Sequence, residues 1–298
     1  MAATGAARNL PEPAAPSPGP ALAPAPGPDR LPDIARDGVT MFALAAAGAN
    51  VIMQLARLPV GHGVAKSTVE SGRIDKHPLK RLRTTLSYIM VAMQGTPAEQ
   101  EAMRRETDRS HRQVHSAPGE PVRYNAFDRE LQLWVAACLY WGTEDVYIKL
   151  YGQPTERQRD EFYRHAARFG TTLQVTEDMW PADRAAFEEY WAKGLEQVEM
   201  DALTRAYLYR FSGLGFLPTP FRLAFGPLHR FLTTGFLPER FREELGLPWS
   251  AGHQRRFDAF CRASAVVNRA LPRPAREFPW NLYLRDVRRR IRTGRPIV

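Results

Sequence analysis

The chain has 298 residues, 44% of them hydrophobic, and a net charge of +9. That length suits one large domain or two small ones with a substantial core, and the composition is that of an ordinary globular protein. A basic balance suits nucleic acid, an anionic membrane surface or an acidic ligand, but no aromatic-interleaved basic stripe, zinc-finger spacing or RNP-like segment occurs, so no nucleic-acid partner is expected.

The chain opens on "PEPAAPSPGPALAPAPGPD", a run too poor in large apolar groups to offset chain entropy. Residues 1–29 are predicted to be a disordered Pro/Ala-rich tail, and residues 30–298 a single domain. The first residues show no basic segment leading into an apolar one, so no secretory signal is expected and a cytoplasmic location is. From Val39 to Ala56 the sequence "VTMFALAAAGANVIMQLA" carries no charge. Its length lies at the lower edge for a bilayer span, but its Ala/Gly content and its Asn50 and Gln54 predict a buried core helix instead.

The remainder reads as helix after helix, with no sustained period-two alternation to require a sheet. "LKRLRTTLSYIMVAMQG" places Leu82, Leu86, Ile89, Met90 and Met93 at helical spacing, and Gly95 closes it. Thr96, Pro97 and Glu99 then form a capping box around a first-position proline. The polar helix they start is predicted to run through "AMRRETDRSHRQVH" to the breaker "APGEP". A long helix is predicted from about Asp128. Later starts are marked by Thr155, "PADRAAF", "PERFREELG" and Ser250, and the basic "NLYLRDVRRRIRTG" closes the chain. The fold class predicted is all-α, about ten helices in one bundle-like domain. Cys138 and Cys261 each sit in an apolar helical pattern and read as buried small hydrophobes, not as a disulfide or a zinc site.

Candidate chemistry is sparse. His111 and His115 are four apart, so on one helix they would share a face about 6 Å apart at Cβ. On spacing alone such a pair is a divalent chelate or a solvated face. Arg112, not a glutamate, follows the first histidine, which argues against a zinc protease, and no Glu-x-x-His pattern offers a di-iron site. Arg81 and Thr85 are also four apart, beside Lys80 and Arg83, on a face that is either basic and solvated or suited to an anionic or oxygen-rich ligand. His229, alone among apolar residues, reads as a packed residue. No phosphate-binding glycine loop or G-x-S-x-G elbow is present.

The order of these features resembles the catalytic domain shared by MpaB-type oxygenases and latex-clearing (rubber) oxygenases. A charge-free helix ends "QLARLPVGHGVAKS", and the series R-x-x-x-T, G-T-P, H-x-x-V and Y-x-A-x-D follows in "HPLKRLRTTLSYIMVAMQGTPAE" and "SHRQVHSAPGEPVRYNAFDRELQLWVAA". The similarity extends from about residue 30 to residue 292. It implies helices around one haem b, with His111 as the proximal iron ligand and Arg81 and Thr85 on the distal side. It also implies oxidative chemistry with dioxygen on a small apolar substrate, such as cleavage of a double bond in an isoprenoid chain. His115 is expected nearby, toward a propionate. The chain departs from the family's pattern at three places. Ala136 stands where many members have a histidine after Trp-Val, Thr84 where rubber oxygenases have a lysine, and Arg57 at about the histidine of "A-H-P". Those departures keep alive a second reading, a haem-binding sensor, carrier or accessory protein without oxygenase chemistry. The basic "RDVRRRIR" end suggests at most a weak peripheral membrane contact, a solvated face being the simpler account.

Overall fold

Within the charge-free stretch, residues 43–55 form the expected helix, and the chain turns just after it. In the computed structural model, which describes residues 31–67, Ile74 and 76–298, a short α1 (Asp33–Asp37) is followed by a turn, then α2 (Ala43–Leu55) and α3 (Leu58–Ala65). Arg57 is extended as the N-cap of α3, whose first turn holds Pro59, and the chain bends by 111° from α2 into α3. No single described helix is long and apolar enough to cross a membrane. The polar residues that argued for a core helix are used as such. Asn50 Nδ2 donates to the Cys138 carbonyl at 2.7 Å, and Gln54 Nε2 donates to Asn50 Oδ1 at 2.6 Å.

Next come α4 (Pro78–Gln94), α5 (Pro97–His111), α6 (Arg129–Tyr151), α7 (Glu156–Ala166), α8 (Arg168–Thr171), α9 (Arg184–Glu196) and α10 (Ala202–Ser212). The chain ends with α11 (Thr219–Phe236), α12 (Glu239–Leu245), α13 (Ala251–Ala270), α14 (Arg273–Arg276) and α15 (Trp280–Arg292). Eleven of these are eight residues or longer, close to the ten predicted, and four are short turns of helix. No strand forms among the described residues, which pair outside helices only in one isolated bridge, His115 to Asn125. The predicted tail, residues 1–29, lies outside the described residues; residues 31–298 form one unit.

The caps sit where the sequence put them. Thr96, Thr155 and Ser250 each close a capping box, and the Asp128 carboxylate accepts from the backbone N–H of Glu130 and Leu131. Helix α6 is the axis. Leu133, Ala136, Ala137 and Tyr140 pack one way, with α1, α4, α7 and α15. Trp134, Cys138, Val146 and Leu150 pack the other way, with α2, α10, α12 and α13. A helix apolar on all sides belongs between two core halves. Both cysteines are buried and free. Leu82, read as a core position of α4, is instead 41% exposed.

Two arginines of the basic terminal helix are held by acidic partners. The helix packs on α4, with Arg288 on Glu99 and Arg290 on Asp286. Near contact between α11 and α13 needs Gly235, because a Cβ there would stand 2.3 Å from the ring of Phe257, which is buried. Gly235→Ala is expected to lose a net ~1–2 kcal/mol, since overpacking a fixed ring outweighs the helix-propensity gain of alanine. Urea unfolding measures this as a lower midpoint at unchanged slope; an unchanged midpoint would contradict the packing.

Candidate functional site

Six helices, α2 to α6 and α8, with loop residues and the chain end line a half-open cavity of about 280 Å³. Its walls are Val60 and Val64 of α3, Ile89 of α4, Met103 of α5, and Leu131, Val135 and Leu139 of α6, with Val298 from the chain end. Polar groups enter at a few points: Lys80, Arg81, Thr84, Thr85 and Tyr88 from α4, Thr107, Ser110 and His111 from α5. Spacing of three and four residues puts each set on one helix face. A mostly apolar hollow with a few convergent polar groups is the usual form of a ligand site.

His111 is the last residue of α5 and lines this cavity. Its ring meets Phe127 edge-on, centroids 6.2 Å apart. Its Nδ1 is buried with no hydrogen-bond partner. Burial, reinforced by the positive charge of Arg81, pushes its pKa down to about 4 against a weaker opposing pull from Asp108. The imidazole is therefore neutral at ordinary pH, the state that binds a metal. Arg81 faces it closely enough to exert that effect. Its side chain is exposed to the cavity yet closely surrounded by protein, and the resulting desolvation holds its pKa below the usual arginine value. Among the described residues no carboxylate pairs with it. Thr85 lies one turn on, and Thr84 turns its own hydroxyl back to the Arg81 carbonyl at 3.0 Å.

His115 is not on that face. Helix α5 ends at His111, and the following residues form a loop whose backbone pairs with itself: Ser116 N–H to the Tyr124 carbonyl at 2.8 Å, Ala126 N–H to the Val114 carbonyl at 2.9 Å. His115 is exposed, bonds only weakly to the Ser116 carbonyl at 3.4 Å, and does not line the cavity. The i, i+4 premise fails because loop pairing eleven residues long competes with the last helical turn.

The Y-x-A-x-D series has a structural reason. Tyr124 packs against Gly63 of α3 and lines the cavity, where a Cβ on Gly63 would meet its ring at 3.4 Å. The Ala126 carbonyl accepts from Gln132 Nε2 at 2.8 Å, and Asp128 caps α6. Gln132 and Gln174 bond to each other, and Gln174 Nε2 reaches Asp108 Oδ1 at 2.6 Å, which ties α5 to α6 just below His111.

The three departures noted in sequence lie mostly off the cavity. Ala136 is fully buried in the core and does not line it. Arg57 stacks on the Trp134 ring, 4.3 Å from its centroid, and donates to Gln197. Thr84 does line it. Sequence reasoning missed Tyr88, whose hydroxyl donates to the Phe169 carbonyl at 2.5 Å, though it continues the Arg81–Thr84–Thr85 face by one turn. It also missed His62, buried on the far side of α3 and joined to Asp201 at 2.6 Å; only its apolar flanks, Pro59 to Val64, hinted at burial. His229 is packed as expected, its Nδ1–H donating to the Ser212 carbonyl at 2.8 Å.

His165 and His229 are half-buried away from the cavity, and desolvation lowers the pKa of both. The unfolded chain then binds more protons than the folded one just below the ordinary histidine value of about 6.5. This contribution is complete above that value and is lost as pH falls. The melting temperature is expected to drop between about pH 7 and pH 5, and His165→Gln to flatten the slope. A flat wild-type profile would contradict half-buried neutral histidines.

The donor set fits a haem. Among the described residues no three His, Cys, Asp or Glu side chains cluster to hold a bare ion. A single neutral imidazole in an apolar cavity suits a metal that arrives with its own equatorial ligands. Lys80 and Arg81 supply cations for carboxylate edges.

The profile of the family described as "ER-bound oxygenase mpaB/B'/Rubber oxygenase, catalytic domain" matches residues 35–266. A protein of Mycobacterium bovis and one of Mycobacterium tuberculosis, each described as uncharacterised, are 48% identical to this chain over 250 residues, covering 84% of it and 98% of each relative. No solved structure matches the chain. The match over most of the helical unit, and over every motif around the cavity, makes this chain a member of the MpaB and rubber oxygenase catalytic-domain family.

Proposed function

We propose that the protein is a haem-b-dependent oxygenase that acts on an apolar, isoprenoid- or lipid-like substrate with dioxygen. The observation that carries this reading is a half-buried, neutral His111 that lines one mostly apolar cavity together with Arg81 in an oxygenase-family fold. When bound, the haem supplies the redox chemistry with dioxygen.

This chain's residues do the rest. His111 would hold the iron through a neutral ring nitrogen. Arg81 lines the cavity, where its positive charge would stabilise negative charge developing on oxygen, and the Thr85 hydroxyl one turn away would donate a hydrogen bond. The aliphatic walls from α3, α5 and α6 exclude water and orient an apolar chain.

The test is oxygen uptake by haem-loaded protein with isoprenoid and fatty substrates. Substrate-dependent uptake above the haem background supports the oxygenase. Background uptake in a fully loaded protein would favour the haem-binding, non-enzymatic reading.

A further inference from the structure

Helix α11 is divided. Its C-terminal half is buried: Thr233, Thr234 and Phe236 pack inward, and the close approach of Gly48 on α2 to Thr233 and His229 seats it on the core. Its N-terminal half projects. Every residue from Pro218 to Phe225 is exposed, and Phe221, Leu223, Phe225 and Leu228 are 55%, 68%, 56% and 55% exposed. Large apolar side chains standing together in water mark a surface that something covers.

The charge around this half-helix indicates what covers it. Between Asp201 and Glu239 the sequence holds no acidic residue, but it holds Arg205, Arg210, Arg222 and Arg230. Arg205 pairs with Glu244; among the described residues no carboxylate pairs with the other three. Arg210 donates to the Gly215 carbonyl, and Arg230 lies over the Tyr209 ring, so both sit at the base of the projecting segment. Apolar groups in front and arginines that keep their charge uncompensated by a described carboxylate behind, Arg230 held by Ser212 Oγ and Tyr209, match an anionic lipid surface, with the apolar side chains in the acyl region and the arginines at the headgroups. A second copy of the chain would bring the same arginines together with no carboxylate from this stretch to meet them, which disfavours self-association.

We infer that the N-terminal half of α11 docks the protein on an anionic bilayer through Phe221, Phe225 and Leu228, with Arg222 and Arg230 at the headgroups. A cleft of about 170 Å³ opens at the base of this segment, lined by Phe216, Phe211, Tyr207 and Val64. Val64 is also a wall of the main cavity. Docking places that cleft beside the lipid phase, where an apolar substrate would be concentrated; the docking itself does not depend on the proposed oxygenase function.

The test is co-sedimentation of the full chain with phosphatidylcholine vesicles, with and without phosphatidylglycerol. Binding is expected to the anionic vesicles and to fall by about tenfold or more on neutral ones, in high salt, in Phe221→Asp/Phe225→Asp and in Arg222→Glu. Unchanged circular dichroism and haem uptake in the variants would show that the fold and the haem site are intact, so a loss of binding is then a loss of docking. No binding to either vesicle, equal binding to both, or binding unaffected by the aspartates would overturn the proposal. So would a wild-type dimer in solution that the same aspartates convert to monomer.

Discussion

Replacing His111 with alanine is expected to cost the protein its haem. Among the described residues His111 is the one histidine that lines the cavity. Removal of a group that merely supports a metal ligand already weakens metal binding about ten- to a hundredfold, so loss of the ligand itself should exceed that. The Soret band of the wild type should disappear or shift to that of free or unspecifically bound haemin, and added imidazole should restore part of it. His115→Ala serves as the control. His115 is exposed and outside the cavity, so that variant should load like wild type. If His115→Ala removed the haem and His111→Ala did not, the assignment would be reversed.

Arg81→Ala should separate binding from chemistry. The guanidinium is a desolvated positive charge close to His111, and preorganised charges of this kind contribute about a hundred- to a thousandfold to rate. The variant is expected to load haem and to lose turnover by about that factor, more in kcat than in KM. Arg81→Lys should recover part of it, because charge returns without the planar fork. The imidazole should also become easier to protonate in reverse order: with Arg81 gone, the pKa of His111 rises, since that charge helps hold it down. Unchanged turnover in Arg81→Ala would remove Arg81 from the chemistry and leave it a structural cation.

Local signals carried the sequence reading and long-range ones defeated it. Thr96, Asp128, Thr155 and Ser250 could be recognised as caps because a cap is a contact with residues two or three further on. The all-α class followed from the same helical spacing. The end of α5 was not visible, because it depends on loop residues 114–116 pairing with residues 124–126. That single misplaced boundary put His115 on a helix face that it does not share. Leu82 fits the apolar spacing of α4 but lies where nothing covers it. The cavity was legible only in part: Arg81 and Thr85 stood out by spacing, whereas Tyr88, Tyr124 and the aliphatic walls come together from separate helices. Ala136, which looked like a lost functional histidine, lies in the core and leaves the cavity wall untouched.

The central claim is that this cavity holds one haem through His111. Titration of purified apoprotein with haemin, followed at the Soret band, tests it most directly. The account predicts saturation at one haem per chain, a red-brown protein, and the spectrum of histidine-ligated iron that Arg81→Ala keeps and His111→Ala loses. A colourless protein that takes up no haemin, or uptake without a stoichiometric end point in wild type and His111→Ala alike, would contradict it.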